Sequence, residues 1–130
     1  MPCRVMMVDD NDNDLLFTRL TLQRCGVPCE VMAFTHAQAA LDHLRDTPGH
    51  GVELILLDIN MPVMNGFDFL DAFERLPADS RQGTVVAMLS SSSDPGDRRR
   101  AEGFASVKGY FTKPLDRATA ASLLSGLRPA

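Results

Sequence analysis

Five residues with charged or reactive side chains each stand directly after a short apolar run. Asp9 and Asp10 follow the first run, Asp58 the third, Ser90 the fourth and Lys113 the fifth. Three carboxylates brought together repel one another, since two unit charges about 4 Å apart cost roughly 4 kcal/mol at an effective dielectric constant near 20. Mg²⁺ relieves such repulsion because it prefers oxygen ligands and binds carboxylates together with phosphate. With Lys113 as a second positive charge, these residue types predict a site for a metal ion and a phosphoryl group.

The apolar runs that precede these residues alternate with stretches long enough for helices. The runs are Val5–Val8, Val31–Phe34, Leu54–Leu57, Val85–Leu89 and Gly109–Thr112. Continuous apolar runs of this length are typical of strands buried on both faces of a parallel sheet. Five βα units predict an α/β fold with a doubly wound sheet and helices on both faces. If the strand order is 2-1-3-4-5, the first and third strands flank the topological switch point, and the three aspartates meet there.

Local signals mark where several of the helices begin. A capping box is predicted at Thr35–Gln38, before the second helix. Asn65 and Gly66 predict a turn that opens the third helix. Asp94 before Pro95, and later Asp116, predict further helix N-caps. Pro77–Gly83 is polar and is interpreted as a loop.

Composition indicates an ordinary globular chain. A length of 130 residues suggests a single domain over residues 1–130, with nothing expected before or after it. The net charge of −4 provides no basic surface for direct nucleic-acid binding. Apolar runs fall far below the roughly 20 residues of a membrane span, so no membrane association is expected. Cys3, Cys25 and Cys29 form no CxxC pair and are interpreted as reduced thiols of a cytoplasmic protein.

Other conspicuous residues receive structural interpretations. The spacing of His36, His43 and His50 fits no zinc site with a fourth ligand, so we place all three at the surface. Arg98–Arg100 is interpreted as the solvated face of the helix before the fifth strand. The first helix has more leucine and phenylalanine than one narrow stripe requires, which leaves Leu16 or Phe17 as an exposed apolar patch for a partner.

The motifs VMMVDDN, LILLDINMPVMNG, VVAMLSS and GYFTKP together resemble the receiver (CheY-like) domains of two-component response regulators. The resemblance covers essentially the whole chain. It implies a flavodoxin-like (βα)5 fold with strand order 2-1-3-4-5. Two departures stand out: Ser91 occupies a position that is commonly alanine in the family, and the segment 103–108 replaces a common Gly-Ala pair. The second departure affects the end of the helix before the fifth strand and not the predicted site.

The resemblance also implies a role for each site residue. Asp58 would be the phospho-acceptor, and Asp10 and Asp58 would bind Mg²⁺ together with the backbone carbonyl of Asn60. Asp9 would act mainly through a metal-bound water. Lys113 would pair with the phosphoryl group, and the Lys113–Pro114 peptide bond would be cis. Two further residues would respond to phosphorylation. The hydroxyl of Ser90 would contact a phosphoryl oxygen, and Tyr110 would be the aromatic switch.

The implied function is signalling and not classical enzymatic turnover. The phosphoryl donor would be a phosphohistidine on a sensor histidine kinase or a histidine phosphotransfer protein. The chain has no GxxxxGK[ST] loop, so nothing indicates ATP as the donor. The phosphorylated domain, a monomer or a phosphorylation-dependent homodimer, would control a protein partner or pass the phosphoryl group along a relay.

Two other classes of protein fit the residues less well. A flavodoxin-type electron carrier would require a phosphate-binding loop after the first strand, where this chain has the acidic pair Asp9 and Asp10. A phosphohydrolase of the haloacid dehalogenase type also forms an aspartyl phosphate. It would require a second aspartate two residues after the nucleophile, where this chain has Asn60.

Overall fold

The computed structural model describes residues 2–91 and 94–127. These residues form a parallel five-stranded sheet in the order β2-β1-β3-β4-β5. The strands are β1 (Cys3–Val8), β2 (Cys29–Phe34), β3 (Leu54–Leu57), β4 (Val85–Ser90) and β5 (Val107–Thr112). The predicted fold class and strand order are therefore confirmed. Within the described ranges, no helix has both the length and the apolar character needed to cross a bilayer.

Helices connect the strands and cover both faces of the sheet. They are α1 (Asp12–Gln23), α2 (Ala37–Asp46), α3 (Gly66–Glu74), α4 (Ala78–Arg81), α5 (Pro95–Glu102) and α6 (Arg117–Gly126). The short helix α4 lies inside the segment Pro77–Gly83, so the interpretation of that segment as a loop was partly wrong. Pro77 begins this single turn, and its carbonyl accepts a hydrogen bond from the backbone N–H of Ser80 at 2.9 Å.

Two apolar layers explain why the strand sequences are continuously hydrophobic. In β3, Leu54 and Leu56 pack into the layer formed with α1 and α6. Ile55 and Leu57 pack into the layer formed with α2, α3 and α5. Successive side chains of a strand point to opposite faces, so a strand covered on both sides requires an apolar residue at every position. All of β3 is accordingly buried.

Three of the four predicted helix starts are confirmed by their hydrogen bonds. Asn65 and Asp68 form a reciprocal capping box at α3, and Asp94 and Asp116 cap α5 and α6. The capping box predicted at Thr35–Gln38 is wrong. Helix α2 begins one residue later than that box requires, and its N-cap, His36, makes no side-chain cap hydrogen bond.

The surface prediction is also wrong for His50, which is only 5% exposed. Its Nδ1 accepts a hydrogen bond from the backbone N–H of Val52 at 3.0 Å. Nε2 therefore carries the proton and donates to the carbonyl of Ser80 at 2.8 Å. These bonds join the segment before β3 to α4. His36 is exposed, as predicted, while His43 is half-buried beside the ring of Phe34.

Candidate functional site

The ends of β1 and β3 bring the three predicted aspartates together. The backbone N–H of Asp58 donates to the carbonyl of Val8, the last residue of β1, at 3.0 Å. Carboxylate oxygens of Asp9, Asp10 and Asp58 all lie within 4.8 Å of one another. Asp9 and Asp58 are buried, with 7% and 6% exposure, whereas Asp10 is exposed. This set of hard oxygen donors, open to solvent on one side, could bind a metal ion.

Lys113 reaches the same cluster from the end of β5. Its backbone N–H donates to the carbonyl of Ser90 at 2.7 Å, which joins the ends of β4 and β5. Its Nζ donates to Asp9 Oδ2 at 2.6 Å and lies 3.4 Å from Asp58 Oδ1. The following peptide bond to Pro114 is cis, as the resemblance implied.

A fourth carboxylate, which sequence reasoning missed, completes the surroundings of the ammonium. Asp14 Oδ2 accepts a hydrogen bond from Lys113 Nζ at 2.9 Å. Asn11 caps α1 by accepting from the backbone N–H of Asp14 at 3.0 Å, and its own N–H donates to Asp9 Oδ1. An aspartate in the first helical turn after an acidic pair was the available signal, but it is equally typical of a helix N-terminus.

Burial and charge shift the titration of two groups in the cluster. Burial raises the pKa of Asp58 to about 6, with Lys113 opposing the change and the charges of Asp9 and Asp10 adding to it. Burial alone would lower the pKa of the Lys113 ammonium. Hydrogen bonds to Asp9 and Asp14, together with attraction to Asp58 and Asp9, outweigh burial and raise it. Lys113 is therefore a fixed positive charge, and Asp58 keeps a proton to a higher pH than an ordinary aspartate does.

Gly66 sets the path of the chain after Asp58. Its N–H donates to the carbonyl of Ile59 at 2.8 Å, so the start of α3 rests directly on the backbone after β3. A Cβ at this position would lie 2.5 Å from the carbonyl oxygen of Asp58 and 2.9 Å from Ile59 Cα. Only glycine allows this approach. Gly66 was predicted only as part of a turn, so this second requirement is a finding of the structure.

The remaining predicted site residues lie around the cluster. Ser90 is fully buried at the end of β4. Asn60 is exposed two residues beyond Asp58. Tyr110, in β5, is half-buried against the layer formed with α2, α3 and α5, with the Arg98 guanidinium 5.9 Å from its ring centroid. The structure thus groups the aspartates with Lys113, whereas Tyr110 packs in an adjoining apolar layer.

Two surface predictions agree with the structure. Arg98–Arg100 is exposed on α5, and the Arg100 guanidinium lies 4.2 Å from the ring centroid of Phe67. Leu16 and Phe17 on α1 are 57% and 52% exposed. They provide an apolar surface on the helix that also bears Asp14.

Comparison with known proteins agrees with this architecture. The model of the response regulator receiver domain family matches residues 5–124. The crystal structure of a response regulator receiver protein from Dyadobacter fermentans DSM 18053 superposes with a TM-score of 0.87 at 32% identity, covering 98% of this chain and 99% of that one. The chain therefore belongs to the response regulator receiver domain family, a family of two-component signalling domains.

Curated relatives are similar in sequence but differ in length. A probable methanogenesis regulatory protein, FilR2 of Methanothrix harundinacea, is 29% identical over 88% of this chain and 74% of its own length. The sensor protein GacS of Pseudomonas syringae is 27% identical over 86% of this chain but only 12% of its own length. Receiver domains similar to this one thus occur both in regulators and within sensor proteins.

Proposed function

We propose that this receiver domain accepts a phosphoryl group on Asp58 from a phosphohistidine of a sensor histidine kinase or a histidine phosphotransfer protein. The phosphorylated chain then controls a protein partner or passes the phosphoryl group on in a relay. The observation that carries the proposal is the buried Asp58 carboxylate, grouped with two further carboxylates and 3.4 Å from the Lys113 ammonium. This arrangement combines a nucleophile with the positioned charges that phosphoryl transfer requires.

Asp58 would supply the attacking atom. One carboxylate oxygen forms a bond to phosphorus while the P–N bond to the donor imidazole breaks. The imidazole nitrogen keeps the electron pair of that bond and takes up a proton, and an acyl phosphate remains on Asp58. Because the pKa of Asp58 is about 6 without a metal ion, its carboxyl is mainly ionised at neutral pH and able to attack.

Lys113 would neutralise charge on the phosphoryl oxygens. Its Nζ is held by Asp9 at 2.6 Å and by Asp14 at 2.9 Å, so a long and flexible side chain is fixed beside Asp58. A positive charge that is already in place requires no reorganisation during the transfer. The same ammonium would then stay bound to a phosphoryl oxygen of the product.

Mg²⁺ is the ion that this donor set favours. Asp10 and Asp58 would bind it directly, with the backbone carbonyl of Asn60, and Asp9 would act through a water. The existing bond from Lys113 to Asp9 suits this division, because it occupies one Asp9 oxygen. When bound, the ion would offset the negative charge of both the carboxylates and the phosphoryl group.

Ser90 and Tyr110 would report the phosphorylated state. Ser90 is buried at the end of β4, the strand that pairs with β3. A hydrogen bond from its hydroxyl to a charged phosphoryl oxygen is worth roughly 1.5–3 kcal/mol. This is enough to shift a two-state equilibrium about tenfold or more. Since Arg98 of α5 lies over the ring of Tyr110, movement of that ring would alter the exposed surface of α5.

The proposal includes a cytoplasmic location and a chain that is a monomer or a phosphorylation-dependent homodimer. Three free thiols favour a reducing compartment. The exposed Leu16 and Phe17 support a protein as partner, since exposed apolar side chains close to a charged site are typical of protein contacts.

Intact-mass measurement after incubation with acetyl phosphate and Mg²⁺ tests the proposal. The wild-type chain should gain the mass of one phosphoryl group, and Asp58→Asn should not. Asp71→Asn is the matched control, because Asp71 is an exposed aspartate on α3, and this variant should still be labelled. Chelation of Mg²⁺ should prevent labelling, and a phosphomonoester should not be hydrolysed. A phosphoryl adduct on Asp58→Asn would contradict the proposal.

A further inference from the structure

Three thiols lie at the end of the sheet opposite the acidic cluster, and the proposed function uses none of them. Cys3 begins β1 and is the register partner of Cys29, which begins β2. Cys25 lies in the connection between α1 and β2. All three pack against the apolar layer formed with α1 and α6. Cys25 and Cys29 are half-buried at the two ends of one connection, and this pairing suggests chemistry beyond phosphoryl transfer.

Cys25 and Cys29 share one backbone contact. Cys25 Sγ lies 3.1 Å from the carbonyl oxygen of Leu22, and Cys29 Sγ lies 3.7 Å from that same oxygen. The two sulfur atoms therefore lie no more than about 7 Å apart. Cys3 differs, because it is buried and its sulfur lies 3.9 Å from the carbonyl of Leu124 on α6.

The backbone between the two half-buried thiols forms a tight connection. Gly26 has φ of +91°, which reverses the chain after α1, and a Cβ there would meet nothing within 4 Å. Val27 and Pro28 then lead into β2. A disulfide requires the two Cα atoms within about 7 Å of each other. Because Cys25 lies in this partly exposed connection and Cys29 only begins β2, the backbone here can adjust to that requirement more easily than the middle of the sheet.

We propose that Cys25 and Cys29 form a redox-active dithiol that closes to an intramolecular disulfide on reaction with a low-molecular-weight disulfide such as oxidised glutathione. The Cys25 thiolate attacks one glutathione sulfur, forming a mixed disulfide and releasing one glutathione thiolate. Cys29 then loses its proton and attacks the Cys25 sulfur, which expels the second glutathione thiolate. The protein loses two protons and two electrons, and one oxidised glutathione takes them up to become two reduced molecules.

The surroundings of the sulfurs set the order of these steps. Burial, followed by the neighbouring Cys25 and Cys3, raises the pKa of the Cys29 thiol. A raised pKa leaves little of the Cys29 thiol in the reactive thiolate form, so Cys29 is a poor first nucleophile. It acts as the resolving thiol, for which proximity to the Cys25 sulfur matters most.

The disulfide would join the end of α1 to the start of β2. Helix α1 also bears Asp14, which contacts Lys113 at its other end. This modification site is independent of phosphorylation at Asp58, so the two proposals can fail separately. Asp58→Asn should form the Cys25–Cys29 disulfide as readily as the wild type.

Peptide mapping of the oxidised full-length chain tests the proposal. The reduced protein is incubated with oxidised glutathione, remaining thiols are alkylated, and peptides are analysed without reduction. The expected product in the wild type contains a Cys25–Cys29 cross-link that dithiothreitol reverses. Cys25→Ser and Cys29→Ser should instead yield only mixed disulfides with glutathione. Cys3→Ser is the matched control and should still form the cross-link.

Three results would overturn the proposal. These are a Cys3–Cys29 cross-link as the main product, glutathione adducts on Cys25 and Cys29 without ring closure, and disulfides between two chains. Because the assignment is made on the wild-type chain, it remains testable even if a serine variant fails to fold.

Discussion

The two ends of the sheet both bury polar groups, but they satisfy them in different ways. At the end where the strands begin, Thr84 Oγ1 donates to the carbonyl of Val52 at 2.6 Å, and His50 bonds to Val52 and Ser80. These groups are neutral and matched as donor and acceptor. At the opposite end, Asp9 and Asp58 are buried as carboxylates, with one ammonium between them. The negative charge there exceeds the positive charge.

This difference distinguishes the polar groups that stabilise the fold from those that enable the site to bind a ligand. Neutral hydrogen bonds contribute stability and give the surrounding backbone one arrangement. Buried like charges reduce stability unless a cation offsets them. The acidic end therefore gains from binding a metal ion or a phosphoryl group with its counter-ion, whereas the opposite end has nothing to gain. Removing a buried carboxylate at the acidic end should accordingly raise the free energy of unfolding, whereas removing a neutral buried group at the opposite end should lower it.

The largest expected effect on the free energy of unfolding is at Gly66, where the start of α3 packs against the backbone of Asp58 and Ile59. In Gly66→Ala the new Cβ would stand 2.5 Å from the Asp58 carbonyl oxygen, a backbone atom that cannot rotate away. Overpacking typically costs about 1–3 kcal/mol and occasionally more, and we expect a loss of about 3 kcal/mol or more in the free energy of unfolding, measured by urea denaturation. Mg²⁺ affinity should fall as well, because Asp58 moves.

Gly126→Ala is the control for this substitution. Gly126 ends α6, and a Cβ at this position would meet no atom within 4 Å. Alanine is favoured over glycine within helices by about 1 kcal/mol, so this variant should be neutral or slightly more stable. Equal losses in the two variants would show that the close approach to Asp58 is not the cause.

Asp58→Asn should have the second largest effect on the free energy of unfolding, and it should raise this free energy. Burial raises the folded-state pKa of Asp58 from 3.8 to about 6. The folded state thus binds this proton more tightly than the unfolded state, and the resulting stability is lost as the pH rises through about 6. Two pKa units correspond to roughly 3 kcal/mol. Since the uncharged amide of this variant does not reproduce every contact of the protonated carboxyl, we expect about 2 kcal/mol of added stability at pH 7.5 in EDTA.

The pH dependence checks this explanation. The stability gain should shrink as the pH is lowered from about 6 towards 3.8, below which Asp58 is mainly protonated in both folded and unfolded wild-type chains. Urea denaturation at pH 7.5, 5 and 4 measures the trend. A gain that stays constant over this range would show that ionisation of Asp58 is not responsible.

How much of the structure at each end of the sheet could be predicted depends on how far apart in the sequence the interacting residues are. The apolar runs predicted the strands, because a strand between two layers must be apolar at every position. Asp9, Asp10, Asp58 and Lys113 were predicted to meet because parallel strands share one carboxyl edge, and the structure brings them together. Both inferences need only local pattern and strand order.

Predictions failed where a residue's partner is distant in the sequence or where alternatives are closely matched. The burial of His50 depends on Ser80, thirty residues away in a helix interpreted as loop. The contact of Asp14 depends on Lys113, at the far end of the chain. At α2, the capping box was predicted to begin at Thr35, but the helix begins one residue later and His36 is its N-cap.

His50→Ala tests the end of the sheet where the strands begin. We expect it to lower the free energy of unfolding by less than Gly66→Ala does. It removes the acceptor of the Val52 N–H and the donor to the Ser80 carbonyl. An unpaired buried group costs about 1–3 kcal/mol, and because water can reach part of the new space we expect about 1–2 kcal/mol in urea denaturation. Mg²⁺ affinity should not change. In the double variant with Asp58→Asn, the two effects should add within about 0.5 kcal/mol, and clear non-additivity would show that the ends are coupled.

The smallest expected effect is at Asp14, the carboxylate that holds Lys113 from α1. Its side chain is 42% exposed, and exposed ion pairs are worth roughly 0.2–1 kcal/mol, so Asp14→Asn should change the free energy of unfolding by less than about 1 kcal/mol. Its effect on metal binding is more informative. Without Asp14, the Lys113 ammonium is free to move further onto Asp9 and Asp58, where it competes with a cation. Mg²⁺ affinity should therefore fall, by up to about fivefold.

Asp12→Asn separates that competition from a general loss of negative charge. Asp12 is exposed in the same first turn of α1, so its substitution removes the same charge from the same part of the helix. Isothermal titration with Mg²⁺ should give a clearly smaller change for Asp12→Asn than for Asp14→Asn. Because screening weakens interactions between exposed charges more than the partly buried contact with Lys113, part of the difference between the two variants should persist at higher salt. Equal changes that both disappear with salt would mean that Asp14 contributes only its charge, and that Lys113 is positioned by Asp9 and Asp58 alone.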